Sequence, residues 1–110
     1  MTLKTLCESG RLALACGPAD KEITGVYCGD LLSRVMGKAP AGSAWVTVMG
    51  NVNAVAVASL CEVGAMVLAE GARLDEAAAA SAEEHGIAVA LSPDPIYETA
   101  AFIGGRLGQP

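Results

Sequence analysis

The chain has 110 residues, which fits one domain and leaves no room for two ordinary ones. With 53% hydrophobic and only 17% charged residues it is not intrinsically disordered. Its net charge of -5 is uneven: residues 1–55 carry five basic against four acidic groups, whereas residues 56–110 carry two against eight. No clustered cationic face exists to meet a phosphate backbone, so nucleic acid is excluded as a partner.

Thr2 to Glu8 reads as a short helix that stops at Gly10, and Arg11 to Cys16 as a strand. Gly17, Pro18 and Asp20 then make a polar turn. Ile23 to Cys28 is rich in β-branched and aromatic residues, as a strand is. After it Leu31, Leu32, Val35 and Met36 recur at helical spacing, with Asp30 expected as N-cap and Gly37 as terminator.

Ala44 to Met49 is a strand. Ala54 to Val63 is read as a buried helix closed by Gly64 in the left-handed position; alternation of Val52, Ala54 and Ala56, or of Val55 and Val57, offers a competing strand, but length and alanine content favour helix. Ala65 to Leu68 is a short buried strand. Asp75 to His85 is a helix with acidic residues in its first turn, an alanine run and Gly86 as its stop. Ile87 to Leu91 is the last strand, and Pro95 opens a final helix running to about Leu107. Strands alternating with helices require crossovers, and so a mostly parallel sheet. The expected fold is α/β, three-layer αβα, with four to five strands and an antiparallel strand at one edge.

No stretch reaches the roughly 18 apolar residues of a membrane span, and residues 1–10 lack the apolar core of a secretory signal. The expected location is the cytoplasm. Cys7, Cys16, Cys28 and Cys61 are separated by eight, eleven and thirty-two residues, without the tight pair of a zinc or iron–sulfur site; neither metal nor cofactor is expected. Gly37-Lys38 lacks the preceding glycine and following hydroxyl of a P-loop, and no dinucleotide-binding glycine pattern occurs. His85 is the one histidine and falls at a helix end, so an enzyme is disfavoured.

Ligands of parallel sheets sit at the carboxyl ends of the strands. Those ends collect Asp30, Ser33, Asn51, Asn53, Glu70, Gly71, Ser92 and Asp94 as candidate ligand-binding residues. Helix capping accounts for several of them. Asn51 and Asn53 together exceed what one cap requires, and Asn53, beside Asp30 and Glu70, is expected to meet a neutral or cationic polar ligand rather than an anion.

The run Val26-Tyr27-Cys28-Gly29-Asp30-Leu31-Leu32-Ser33-Arg34-Val35-Met36, followed by Trp45-Val46-Thr47-Val48 and by Asn51 to Ala58, resembles the stand-alone DRTGG-domain proteins. These in turn resemble the N-terminal domain of HPr kinase/phosphorylase. The likeness extends over nearly all of residues 1–110 as a single domain. Gly50-Asn51-Val52 stands where related domains have Gly-Asp-Arg, and Ala69-Glu70-Gly71 where they have Thr-Gly-Gly. The resemblance implies a non-catalytic regulatory or sensor domain that binds a small polar ligand or nucleotide and acts by self-association or by docking on a partner enzyme or signalling protein. Its alternatives are a structural interaction subunit without ligand and, last, a kinase or other enzyme. A homodimer is expected, through the edge strand and Ile96, Phe102 and Ile103.

Overall fold

Alternation of apolar strands and alanine-rich helices dictates a layered solution, and the computed structural model, which describes residues 1–108, has it. The elements are α1 (Leu3–Cys7), β1 (Ala13–Cys16), β2 (Val26–Cys28), α2 (Leu32–Lys38), β3 (Ala44–Thr47), α3 (Val52–Cys61), β4 (Ala65–Leu68), α4 (Glu76–His85), β5 (Val89–Leu91) and α5 (Ile96–Arg106). The sheet order is β1-β5-β4-β3-β2. β2 to β5 are parallel neighbours, and β1 pairs antiparallel with β5.

Each crossover from β2 to β5 steps one strand in the same direction. Crossovers of one hand therefore put α2, α3 and α4 on a single face. That face is built on Val35, Trp45, Val55, Met66, Ala78 and Ala82. Leu3, Leu6, Val46, Val67, Ala90 and Ile103 fill the other, under α1 and α5. Every residue of β3 and of β4 is buried, as a strand covered on both sides requires.

Residues 52–61 are helical, although their β-branched content argues for a strand. Its apolar residues are spread over all faces rather than one, and Val52 and Leu60 are left exposed. Its left-handed cap is Glu62, with φ 57°, and not Gly64 as expected. Gly64 is needed for a different reason: a methyl group there would sit 2.6 Å from the Gly42 carbonyl oxygen. Gly37 also departs from expectation, lying inside α2, which ends at Lys38 ahead of Pro40. α4 matches its expected bounds, with Asp75 accepting from the Ala78 amide at 2.8 Å and Gly86 left-handed at the end. Pro95 stands at the cap of α5 rather than in its first turn.

Ile103 is wholly buried against the sheet, which corrects its expected place in a dimer contact. Phe102 is half-buried and has the guanidinium groups of Arg11 and Arg106 at 4.9 and 5.7 Å from its ring centre. No helix among the described residues is long and apolar enough to cross a membrane.

The connection from β4 to α4 leans on Gly50, where an added methyl would collide with the Arg73 carbonyl oxygen. The Asp75 amide donates to the Gly50 carbonyl oxygen at 3.0 Å in the same contact. Gly50→Ala is therefore expected to lower stability by about 2–3 kcal/mol, as overpacking against an immobile neighbour does, and chemical denaturation measures it.

Candidate functional site

The carboxyl ends of the parallel strands divide into two regions. At the first, one carboxylate oxygen of Asp30 accepts from the Thr47 hydroxyl and from the Val48 amide, the latter at 3.0 Å. Asp30 is thus not the N-cap of α2; Leu31 holds that position without a side-chain bond. The physical reason is that Asp30 finds two donors at the end of β3 and ties β2 to it. The Trp45 indole, donating to the Gly29 carbonyl oxygen at 2.9 Å, reinforces the same junction.

Asn51 caps α3, its side-chain oxygen accepting from the Ala54 amide at 2.9 Å. Asn53 lies in the first turn of that helix, exposed and with no side-chain hydrogen bond among the described residues. Ser33 is exposed on α2. Around these polar groups Leu31, Val48 and Val52 are open to solvent.

At the second region Glu70 and Gly71 follow β4, both left-handed, with φ 60° and 69°. Their amides donate to the carbonyl oxygens of Asp94 and Ser92 at 2.7 and 3.0 Å, which fastens the turn to the end of β5. The Ser92 side chain faces inward: its hydroxyl is 2.8 Å from that of Thr99 and accepts from the Asp94 amide at 3.1 Å. Asp94 does not cap α5 but pairs with Arg11 at 3.0 Å.

A cleft of about 460 Å³ opens beside this turn. Ala72, Arg73 and Leu74 form one wall; Ala13, Leu91 and Pro93 form the other, with Gly71 and Ser92 between them. Of the eight expected ligand residues, Gly71 and Ser92 line it. Asp30, Ser33, Asn51, Asn53, Glu70 and Asp94 do not. The apolar walls and Arg73 carry no local sequence signal, because only polar residues directly after strands are marked by position alone. Ala13 reaches the cleft only through its antiparallel pairing with Leu91.

No protein-family model matches the chain, and no curated protein matches it. Among solved structures, the chain is similar to the CBS and DRTGG domains of the regulatory region of Clostridium perfringens pyrophosphatase, a structure complexed with the activator diadenosine tetraphosphate. The TM-score is 0.71 at 11% sequence identity, over 93% of this chain and 45% of that one. The chain thus spans less than half the length of that relative. At this identity the likeness is one of fold.

Among the described residues no three His, Cys, Asp or Glu side chains gather to hold a metal ion. His85 Nδ1 is 2.8 Å from the Ser81 carbonyl oxygen one helical turn back. All four cysteines are free thiols. Burial pushes the pKa of each above the usual thiol value, and at Cys28 the Asp30 carboxylate adds to the effect. The thiol form is thereby favoured over the nucleophilic thiolate.

Two outcomes follow from this geometry. Asn51→Ala is expected to cost about 1 kcal/mol through loss of the cap, and Asn53→Ala less than about 0.5 kcal/mol, in paired denaturation curves. At Cys28, alkylation by iodoacetamide at pH 8 should be slower than for a free cysteine and should quicken as pH rises. Asp30→Asn removes the nearby negative charge, lowers the thiol pKa and so should speed alkylation at pH 8; native-state hydrogen exchange run alongside separates this from local opening.

Proposed function

We propose that the chain is a non-catalytic regulatory domain that binds a small ligand in the cleft at the carboxyl ends of β4 and β5. The cleft itself carries the reading: a volume of about 460 Å³ is in the range of small-molecule sites, and its walls are apolar with Arg73 and Ser92 as the polar members. Apolar walls fit a planar ring, and a guanidinium donates to a phosphate or carboxylate. A nucleotide fits that pairing better than the neutral or cationic ligand expected beside Asn53, because neither Asp30 nor Glu70 lines the cleft. The structurally similar pyrophosphatase region is complexed with a dinucleotide activator, which supports the same ligand class.

The reading includes a single DRTGG-like domain over residues 1–110, akin to the N-terminal domain of HPr kinase/phosphorylase, working in the cytoplasm. Output passes to a partner enzyme or to a second copy of the chain. The reading carries no phosphoryl transfer, a reaction that needs a phosphate cradle and metal-holding groups.

A second reading, a structural interaction subunit, draws on the bonds of Asp30, Asn51 and Asp94, each engaged within the fold, and on exposed Leu31, Val48 and Val52. A thermal-shift panel of adenine and guanine nucleotides and dinucleotides decides between the two. Binding to the native state at a hundredfold excess over Kd adds about 2.7 kcal/mol of stability, a midpoint rise of several degrees. Arg73→Ala is expected to weaken that response about tenfold without lowering the ligand-free midpoint. No shift with any nucleotide, or a shift indifferent to Arg73→Ala, favours the structural subunit.

A further inference from the structure

The two edges of the sheet are poor places for another chain to pair. β2 has three residues, and β1 breaks register between Leu14 and Cys16; short or bulged edge strands discourage added strands. Beside β2 lies a groove of about 390 Å³, lined by Val26 and Cys28 from β2 and by Ala101, Gly104 and Gly105 from α5. Tyr97, at the amino end of α5, also lines it and has 78% of its surface exposed.

Two features of this face are not accounted for by contacts within the chain. Gly104 and Gly105 lie inside α5, although glycine is the poorest helix former after proline. Neither has a positive φ, and a methyl group added at either would meet nothing within 4 Å. Gly50 and Gly64 are demanded by neighbouring backbone; these two are not. Glycine there keeps the helix surface low, and small residues at a contact let helix axes approach closely. The second feature is Tyr97, a large ring left in water on a helix that buries Thr99 and Ile103. Such rings are frequent anchors of protein interfaces.

Knob and hollow lie on the same helix. At 3.6 residues per turn Tyr97, Ala101, Gly104 and Gly105 fall within about 100° of arc, on the side away from buried Thr99 and Ile103. Tyr97 and Gly105 are each four residues from Ala101, and Glu98 and Arg106 are each four residues from Phe102. A two-fold axis between Ala101 and Phe102 therefore lays Tyr97 of one copy on the glycines of the other. The same axis sets Glu98 of each copy against Arg106 of the other, because both charges lie on one flank of the strip.

The charges favour a second copy as the occupant. α5 carries one acid, Glu98 in its first turn, and one base, Arg106 in its last, both exposed and without an ion pair among the described residues. The Arg106 guanidinium is already held at 5.7 Å over the Phe102 ring. On a chain of net charge -5 this helix is neutral, so two copies meet here without repulsion. Antiparallel helices also bring opposite dipole ends together.

We infer that α5, with the adjoining edge of β2, is the interface of a two-fold dimer in which α5 packs antiparallel on its copy, Tyr97 filling the hollow over Gly104 and Gly105 and Glu98 pairing with Arg106. A contact one helix long, roughly 16 Å, buries less than the ~1,600 Å² of a standard interface, so the dimer is reversible, with a micromolar Kd. It lies apart from the cleft beside Arg73 and stands whether or not that cleft binds a nucleotide.

The test is sedimentation equilibrium of the full chain from about 10 µM to about 1 mM, with thermal midpoints taken at the dilute end. The mean mass should climb from 11.0 kDa toward twice that and no further. The double variant Gly104→Ala, Gly105→Ala should raise the dilute midpoint, since alanine is the better helix former and nothing blocks its methyl group, yet weaken the dimer about tenfold or more. Tyr97→Ala should weaken it as much. Glu98→Arg and Arg106→Glu should each weaken association alone, and an equimolar mixture of these two single variants should recover it, because every flank pair is again of opposite charge. A mass of 11.0 kDa throughout, growth beyond a dimer, no recovery in the mixture, or a dimer that neither the double alanine variant nor Tyr97→Ala weakens, as pairing through a sheet edge alone would give, overturns the assignment.

Discussion

Trp45 and Val46 are consecutive residues of β3, their side chains point to opposite faces of the sheet, and neither has any exposed surface. The same holds for Met66 and Val67 of β4. Two adjacent strands apolar on both sides cannot face water on either, so helices must cover both faces. Stepwise crossovers supply α2, α3 and α4 for the Trp45 face, and the remaining α1 and α5 close the Val46 face. The cleft at the strand carboxyl ends depends on this arrangement, because buried central strands leave only their ends and the connecting loops open to chemistry.

The two ends carry different electrostatics for one reason. All three crossover helices run against the strands they join, so their amino termini lie near the strand carboxyl ends and their carboxyl termini at the other end. Asn51 and Asp75 satisfy amides at the first end; Glu62 and Gly86 close helices at the second. The small side chains of α3 and α4 let the helices lie close to the sheet, and the loops pack as tightly: Gly50 against Arg73, Gly64 against Gly42. Glycine is required at these places for close approach and not for positive φ.

Much of the fold was legible in the chain itself. Alternation of apolar runs with glycine and helix-capping residues located every strand and helix, and Asp75 with Gly86 bounded α4 correctly, because a cap and its stop act within one or two turns of backbone. The parallel sheet with an antiparallel edge followed from the alternation. What local signals could not assign was the partner of a polar side chain. Asp30 is a plausible cap in sequence, yet it bonds to Thr47 and Val48, seventeen and eighteen residues away.

The same division governs the sites. Sequence alone placed polar residues at the strand carboxyl ends, since that position is set by the order of elements. Only the tertiary structure decided that Ser92 turns inward to Thr99, that Asp94 pairs with Arg11, and that Ala13, Arg73 and Pro93 meet around one cleft. It likewise placed the left-handed cap on Glu62, because Gly64 is held against Gly42 by the neighbouring strand connection. Periodicity and capping are local and survive in one dimension; clefts are made by segments far apart in sequence, and which of them meet is settled by sheet order and by the close approach of one backbone to another.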